Sequence, residues 1–168
     1  ELSLGRERWV VDTGTSTYRI GPDRDRERST AAHNTVVVDG KDSSETWHAF
    51  RVARRARTYG LETHESDDGV LTVACSHDGY RRLPGRVVHR REWQLRPDGL
   101  RIHDTCQGRD FRAVANTHVH PAIQVTLDSA NGASTLARDG RQVLLRFAHA
   151  KPALEPSHYH PEFGVALA

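Results

Sequence analysis

Asp12 and His33 are the residues of this sequence whose types and positions best suit metal chemistry. Asp12 ends the apolar stretch 9–11 and precedes a Thr-Gly turn, while His33 opens a second apolar stretch. One connecting loop could bring the carboxylate and the imidazole to neighbouring sheet ends, and zinc binds this combination of oxygen and nitrogen ligands. Two ligands do not complete a site. The alternative interpretation is a strand-end histidine that is hydrogen-bonded to Asp12.

Two further histidine pairs have a spacing that metal sites use. His118 and His120 lie two residues apart in an extended segment, so both rings are expected on one face of a strand. This spacing also opens the cupin metal pattern, but no glutamate follows at the short distance that the pattern needs, and Gln124 stands nearby instead. His158 and His160 lie between two prolines and are interpreted as polar loop residues.

The segment His77-Asp78-Gly79-Tyr80 predicts a turn that carries its tyrosine out of the preceding strand. An exposed Tyr80 could stack on a sugar ring, and the alternative is that it holds the loop in place. Nucleophilic and phosphate-binding motifs are absent from the sequence, which disfavours hydrolases and nucleotide enzymes. Cys75 and Cys106 lie in separate predicted strands and could be free or paired.

The elements that position these residues are predicted to be strands. Short runs rich in Val, Thr, Leu, Ile, Trp and Tyr alternate with Gly, Asp, Asn and Pro, which is typical of all-β proteins. The turns at Pro97-Asp98-Gly99 and Asp139-Gly140 predict hairpins. We therefore expect a large antiparallel β-sandwich of stacked sheets with few or no helices. The predicted strands are residues 1–4, 8–12, 35–39, 52–62, 70–76, 87–95, 100–107, 111–119, 123–127, 133–137 and 142–148.

Two segments are predicted to lie outside the strands. The mixed-charge run 23–28 is interpreted as a solvated loop. Residues 47–56 contain apolar side chains at helical spacing, but they lack a cap and a sustained apolar stripe, so at most one helical turn is expected there.

Length and composition indicate one domain, residues 1–168. The 24 basic and 22 acidic residues nearly cancel, so the net charge of +2 predicts no nucleic-acid partner. No apolar run is long enough for a membrane span. Because the chain begins at Glu1 without a methionine, we expect it to be an excerpt of a longer protein.

Three segments, in this order and at these spacings, resemble the heparinase II/III-like family of polysaccharide lyases. The resemblance is strong over the first forty residues, where the His-Asn-Thr-Val stretch with its Asp-Gly end is the most specific part, and it is looser over residues 47–121. The segments are Trp9-Val-Val-Asp12-Thr-Gly14-Thr-Ser-Thr-Tyr18, Arg28-Ser-Thr-Ala-Ala-His33-Asn34-Thr35-Val-Val-Val-Asp39-Gly40 and His77-Asp78-Gly79-Tyr80.

The resemblance implies an architecture in which a helical (α/α) toroid precedes a β-sandwich domain like this one, and in which acidic glycans are cleaved by β-elimination. It implies that Asp12 and His33 bind a structural zinc, with at least one further ligand upstream of Glu1. The proton-transferring residues of the family come from the toroid, so no catalytic residue is expected in this chain. Arg28 and Asn34 are the candidates for substrate contact, whereas Arg26 and Glu27 replace aromatic residues that the family tends to have.

We therefore predict the C-terminal domain of a lyase that acts on uronate-containing polysaccharides. It would be inactive by itself, and its partners would be the acidic glycan and its own helical domain. The alternative is a non-catalytic carbohydrate-binding or structural β-sandwich, and a cupin-type metal enzyme ranks third. The family is often exported, so a periplasmic or secreted location is expected, with the cytoplasm as the alternative.

Overall fold

The computed structural model describes residues 1–167 and contains, within that range, thirteen strands, one helix and two 3-10 turns. Strands make up 44% of the residues and helical segments 8%, which confirms the predicted all-β class, and all the sheets are antiparallel. The helix α1 is Pro22–Glu27, and the 3-10 turns are Thr30–Ala32 and Gly79–Arg82. The strands are β1 (Leu2–Leu4), β2 (Glu7–Val10), β3 (Val36–Val38), β4 (Thr46–Trp47), β5 (Arg51–Val52), β6 (Thr58–Glu65), β7 (Leu71–His77), β8 (Val88–Arg96), β9 (Gly99–Gln107), β10 (Ala113–Ala115), β11 (Gln124–Asp128), β12 (Ala133–Arg138) and β13 (Arg141–Arg146).

The predicted hairpins are confirmed. β8 and β9 pair from Arg96 opposite Gly99 onward, across the Pro-Asp turn. Between β12 and β13, Asp139 and Gly140 have φ values of +49° and +76°. Two consecutive positive φ values are what a tight hairpin turn needs in order to match the twist of its strands.

Two of the predicted strands are longer than the observed ones. The segment 52–62 is divided between β5 and β6, and the segment 111–119 contains only the three residues of β10. Residues 47–56 contain no helix, which agrees with the expectation of at most one helical turn, and β4 and β5 form a short hairpin there, with Trp47 opposite Arg51.

The interpretation of residues 23–28 as a solvated loop is wrong. Pro22 starts the six-residue helix α1, a position where its missing N–H costs nothing. Arg24 and Glu27 are buried on one side of this helix, and Arg24 Nε donates a hydrogen bond to the carbonyl oxygen of Ala49 at 3.1 Å. The burial of these charged side chains is what the mixed-charge pattern did not reveal.

The chain divides into two compact units. The first contains Glu1–Tyr18, Ala32–Asn34 and Thr117–Ala168, and the second contains Arg19–Ala31 and Thr35–Asn116. The helix in residues 1–167 falls far short of the length that a membrane span requires.

The first unit contains the sheets β1-β2 and β11-β12-β13. Its core is formed by Trp9, Ile123 and Leu136, of which Trp9 and Leu136 are fully buried. The apolar side chains packed against them are Leu4, Val119, Val125, Val143 and Leu145.

The second unit contains the four-stranded sheet β6-β7-β8-β9 and the pairs β3-β10 and β4-β5. Val36, Val38, Tyr80 and Val87 form its core. Cys75 on β7 and Cys106 on β9 are free thiols.

Candidate functional site

Asp12 and His33 are in direct contact, as the sequence predicted they could be. His33 Nδ1 lies 2.6 Å from Oδ2 of Asp12. Thr13 brings the two segments together, because its hydroxyl donates to the carbonyl oxygen of Ala32 at 2.9 Å and its backbone N–H reaches the same oxygen at 3.4 Å. The residue after Asp12 is thus tied to the residue before His33.

Gly14 shapes the turn that holds the carboxylate. Its N–H donates to Oδ1 of Asp12 at 3.0 Å, and its φ of +76° lies in the left-handed region. A Cβ at this position would lie 2.1 Å from the carbonyl oxygen of His160, whose own N–H donates to the carbonyl oxygen of Thr13 at 2.8 Å. Glycine therefore lets the segment around His160 approach the turn closely.

The environment of Asp12 favours its ionised form. The hydrogen bond with His33 lowers the pKa of Asp12 most, and partial burial opposes this by raising it. The Gly14 N–H and the charges of His33 and His118 lower the pKa of Asp12 further. Asp12 is therefore an acceptor at neutral pH, and His33 Nδ1 is the donor in their contact.

Asn34 joins two backbone segments beside this pair. Its Nδ2 donates to the carbonyl oxygen of Val11 at 2.8 Å, and its Oδ1 accepts the N–H of His118 at 2.7 Å. The Val11 N–H in turn donates to the carbonyl oxygen of His118 at 2.9 Å. The side-chain amide that the sequence proposed for substrate contact thus positions the chain around Asp12 in this structure.

The two histidines of the His118-x-His120 pair have different partners. His118 Nδ1 lies 3.1 Å from the hydroxyl of Ser157, whereas the ring of His120 packs edge-on against Tyr159 and its Nδ1 accepts the N–H of Ala122 at 3.1 Å. His118 belongs with the Asp12 pair and His120 does not. The two-residue spacing made both histidines candidate metal ligands, and only their contacts in the structure distinguish them.

The interpretation of His160 as a polar loop residue is wrong. Its side chain is buried, and its Nδ1 donates to the carbonyl oxygen of Val165 at 2.9 Å. The ring of the exposed His158 is stacked parallel to it, with 6.4 Å between the ring centroids. His160 therefore supports the Gly14 turn from the inside.

Arg28 belongs to the second unit, where its guanidinium holds the β4–β5 hairpin. Its Nη1 donates to the carbonyl oxygens of Trp47 and His48, and its Nη2 donates to that of Arg51 at 3.1 Å. His48 has a φ of +51°, so the bonds from Arg28 fix a turn with an unusual backbone conformation.

The Tyr80 side chain is buried, so its interpretation as an exposed sugar-stacking group is wrong. Its ring is fully inaccessible to solvent, and its hydroxyl donates to the carbonyl oxygen of Val36 at 2.7 Å. Burial raises the pKa of Tyr80 to about 12. Tyr80 holds the turn after β7 against the core, which was the alternative function expected for it.

A row of buried and half-buried polar groups, which the sequence did not reveal, begins next to this tyrosine. The Gly79 N–H donates to Nδ1 of His77, so the neutral ring carries its proton on Nε2, 3.0 Å from Nδ1 of His89. His89 Nε2 then donates to Oδ1 of Asp104 at 2.7 Å. Arg91 binds both oxygens of the same carboxylate.

Each member of this row has one consistent proton position. Burial by itself would raise the pKa of Asp104, but the hydrogen bonds from His89 and Arg91 lower it to about 2. Burial lowers the pKa of His77 to about 4, and the neighbouring His89 adds to this effect. His77 is therefore neutral at pH 7, and the row links the three adjacent strands β7, β8 and β9.

The Asp12–His33 pair fits zinc in the kind of donor it offers, one carboxylate oxygen and one imidazole nitrogen. Within residues 1–167, no three His, Cys, Asp or Glu side chains converge as a metal-binding group. The described part of the chain thus offers two ligands, with His118 as an additional imidazole whose charge acts on Asp12.

A comparison with models of known families shows to which family the chain belongs. The model of the family described as "Heparinase II/III-like, C-terminal" matches residues 1–167. Searches of curated proteins and of solved structures gave no significant match. The match extends over the segments that contain Asp12, His33 and the Tyr80 turn, and the chain therefore belongs to the heparinase II/III-like C-terminal family.

Proposed function

We propose that the chain is the C-terminal domain of a polysaccharide lyase that cleaves uronate-containing glycans by β-elimination. The family match over residues 1–167 supports the lyase assignment. The family match is the observation that carries the proposal, and the 2.6 Å contact between Asp12 and His33 is consistent with the metal site that the proposal includes. By itself the domain is inactive and forms one wall of the substrate cleft.

The proposed metal is zinc with a structural function. Asp12 and His33 would hold it, together with at least one ligand from a segment upstream of Glu1. A zinc ion with a closed set of protein ligands stabilises the loops that bind it. Thr13, Gly14 and Asn34 already fix those loops through the backbone, so they would keep the donor atoms oriented.

The reaction explains why one domain is not sufficient. A base removes the proton next to the uronate carboxylate, the bond to the leaving oxygen breaks, a double bond forms, and an acid protonates that oxygen. The carboxylate must be neutralised while this happens. We assign these functions to a preceding helical domain, and no residue of this chain to the chemical step.

Arg28 is the proposed substrate contact in the second unit, and Asn34 in the first unit is proposed to shape the substrate-facing backbone beside Asp12. Arg28 is half-buried, and its three bonds to carbonyl oxygens use at most three of the five N–H donors of a guanidinium. The remaining donors suit a sugar carboxylate. Asn34 acts through the backbone that it positions beside Asp12. A periplasmic or secreted location is part of this proposal.

Zinc analysis tests the metal site. The protein that carries this domain should contain about one zinc per chain, and His33→Ala should remove it. His64→Ala, which changes an exposed residue of β6, is the matched control and should keep the zinc. Unchanged zinc in the His33 variant would contradict the assignment.

Ultraviolet absorbance tests the reaction, because each elimination creates a double bond conjugated to the carboxylate. Glucuronate, iduronate and alginate polymers should be tried in parallel. Absorbance that rises on at least one of them supports the lyase. Silence on all three would favour the non-catalytic carbohydrate-binding domain.

A further inference from the structure

The row formed by His77, His89 and Asp104 ends at a backbone N–H, and the proposed lyase function does not use it. His77 Nδ1 accepts the N–H of Gly79 at 3.2 Å. The contact between the two rings is 3.0 Å, and the one from His89 to Asp104 is 2.7 Å. The longest contact of the row is therefore the one with the 3-10 turn Gly79–Arg82.

The two imidazole rings hold two hydrogens and have no place for a third. Nε2 of each ring donates and Nδ1 of each ring accepts, so every ring nitrogen is in use. A third proton must lie either on His77 Nδ1, against the Gly79 N–H, or between the rings, against the hydrogen already there. Asp104 does not take it above about pH 2, because its hydrogen bonds hold the pKa of this carboxyl at about 2. Protonation of the row therefore breaks one of its contacts.

The contact that breaks is the one with Gly79. His77 and His89 lie directly opposite each other in the paired strands β7 and β8, so the sheet fixes both rings. His89 is also only 3% exposed. Gly79, by contrast, belongs to a four-residue 3-10 turn, a structure whose hydrogen-bond geometry is poor.

The surroundings of His77 oppose a positive charge on its ring while the turn is closed. Burial lowers the pKa of His77 most, the charges of His89 and Arg91 lower it further, and Asp78 at the start of the turn raises it. The residues opposite the two rings in the neighbouring strands carry no charge, and they are Thr58 on β6 and Cys106 on β9, whose thiol pKa is raised by burial. The closed turn thus excludes a proton that His77 would bind in water.

The turn closes over the core of the second unit. The fully buried Tyr80 donates from its hydroxyl to the carbonyl oxygen of Val36, and its ring centroid lies 5.5 Å from that of His77. A Cβ on Gly79 would lie 2.4 Å from the carbonyl oxygen of Ser43, so the closed turn touches that segment as well. Movement of the turn away from the sheet therefore exposes Tyr80.

Both ends of the turn have further anchors. Arg82 donates from its guanidinium, which stays charged in acid, to the carbonyl oxygens of Gly79 and Asp42. At the other end, Asp78 N–H donates to the carbonyl oxygen of Arg57 at 3.2 Å, and Arg57 N–H donates to Asp78 Oδ1 at 2.8 Å. Loss of the Gly79 contact therefore opens the turn locally, without unfolding the unit.

We propose that the two imidazoles are an acid-sensitive latch on the Gly79–Arg82 turn: a third proton on the rings releases the Gly79 N–H, the turn opens, and Tyr80 leaves the core. At neutral pH the latch is closed. It uses no metal, substrate or second domain, so it does not depend on the proposed lyase function.

Amide hydrogen exchange of the 168-residue chain at pH 6.5 and pH 4.5 tests the latch, with each rate corrected for the intrinsic effect of pH. Arg81 N–H and Leu83 N–H report the opening, because they donate to carbonyl oxygens within the turn, at 2.9 and 3.0 Å. Their opening constants should rise about tenfold to fortyfold at pH 4.5, since the pKa of His77 is 6.5 in water and about 4 in the closed turn. The amides of β12, in the first unit, should not show this rise.

Three variants separate the latch from other effects of acid. His77→Gln keeps an acceptor for the Gly79 N–H but takes up no proton, so its opening constants should agree within about twofold between the two pH values. His64→Gln changes an exposed histidine of β6 and should keep the full rise. Asp78→Asn removes the other acid-sensitive side chain of the turn and should also keep it.

Ring nitrogen-15 spectra of the unaltered chain test the same contacts without a variant. At pH 7, His77 should be protonated at Nε2 and unprotonated at Nδ1. A proton on Nδ1 at this pH would overturn the proposal, and so would a rise of less than twofold or an equal rise in His77→Gln. Low concentrations of urea should hardly change exchange in the turn; a dependence as steep as that of the β8 amides would show that the turn opens only when the unit unfolds.

Discussion

Gly14→Ala should destabilise the first unit much more than Gly140→Ala. The two glycines have the same φ of +76°, but a Cβ at residue 140 has no heavy atom within 4 Å, whereas a Cβ at residue 14 would lie 2.1 Å from the carbonyl oxygen of His160. Comparing the two variants therefore separates the free-energy cost of the left-handed backbone conformation from that of the steric overlap.

The magnitudes follow from these contacts. A left-handed conformation costs an ordinary residue about 1–2 kcal/mol, and both variants lose this amount. The backbone shift at residue 14 also breaks the bond from His160 N–H to Thr13 and the bond from residue 14 N–H to Asp12, each about 1 kcal/mol. Gly14→Ala should thus lose about 3–4 kcal/mol of unfolding free energy.

Urea unfolding followed by circular dichroism measures both losses, and the zinc content of Gly14→Ala measures the effect on the pair that it supports. At about 2–4 °C per kcal/mol, the thermal midpoints of the two variants should also differ clearly. Equal losses in both variants would refute the reasoning, because the overlap with His160 would then have no energetic consequence.

Tyr80→Phe should lower the unfolding free energy by about 1–3 kcal/mol, because it leaves the buried carbonyl oxygen of Val36 without its donor. Urea unfolding measures this, and a loss within experimental error would contradict the hydrogen bond. The stability should also fall as the pH is lowered from about 6.5 to 4, because the unfolded chain binds a proton at His77 that the folded chain excludes. Because the His77 ring is only half-buried, this loss of stability is limited to about 1–2 kcal/mol. The His77→Gln variant should show no such loss over the same pH range. Equal pH profiles of the variant and the unaltered chain would contradict the lowered pKa of His77.

The strands and hairpins could be predicted because their signals are local. Alternating residues mark one buried face of a strand, and Pro-Asp-Gly or Asp-Gly marks a turn whatever surrounds it. The Asp12–His33 contact could also be predicted, since both residues lie at the ends of apolar stretches that a single loop connects. The family resemblance rested on the same segment and is confirmed.

The predictions that were wrong concern which side chains are buried. The charged run 23–28 suggested a loop, but two of its side chains are buried, and the pattern of charges contains no information about what covers them. The burial of Tyr80 depends in the same way on the carbonyl of Val36, 44 residues away in the chain.

The sequence by itself determined the all-β class, most of the strands and the hairpin turns. These follow from interactions between near neighbours and from the two-residue period of a strand. Only the tertiary structure decided that His77, His89 and Asp104 form one row and that His118 rather than His120 joins the Asp12 site. Strand register and loop packing set these contacts, and both depend on residues far apart in the chain.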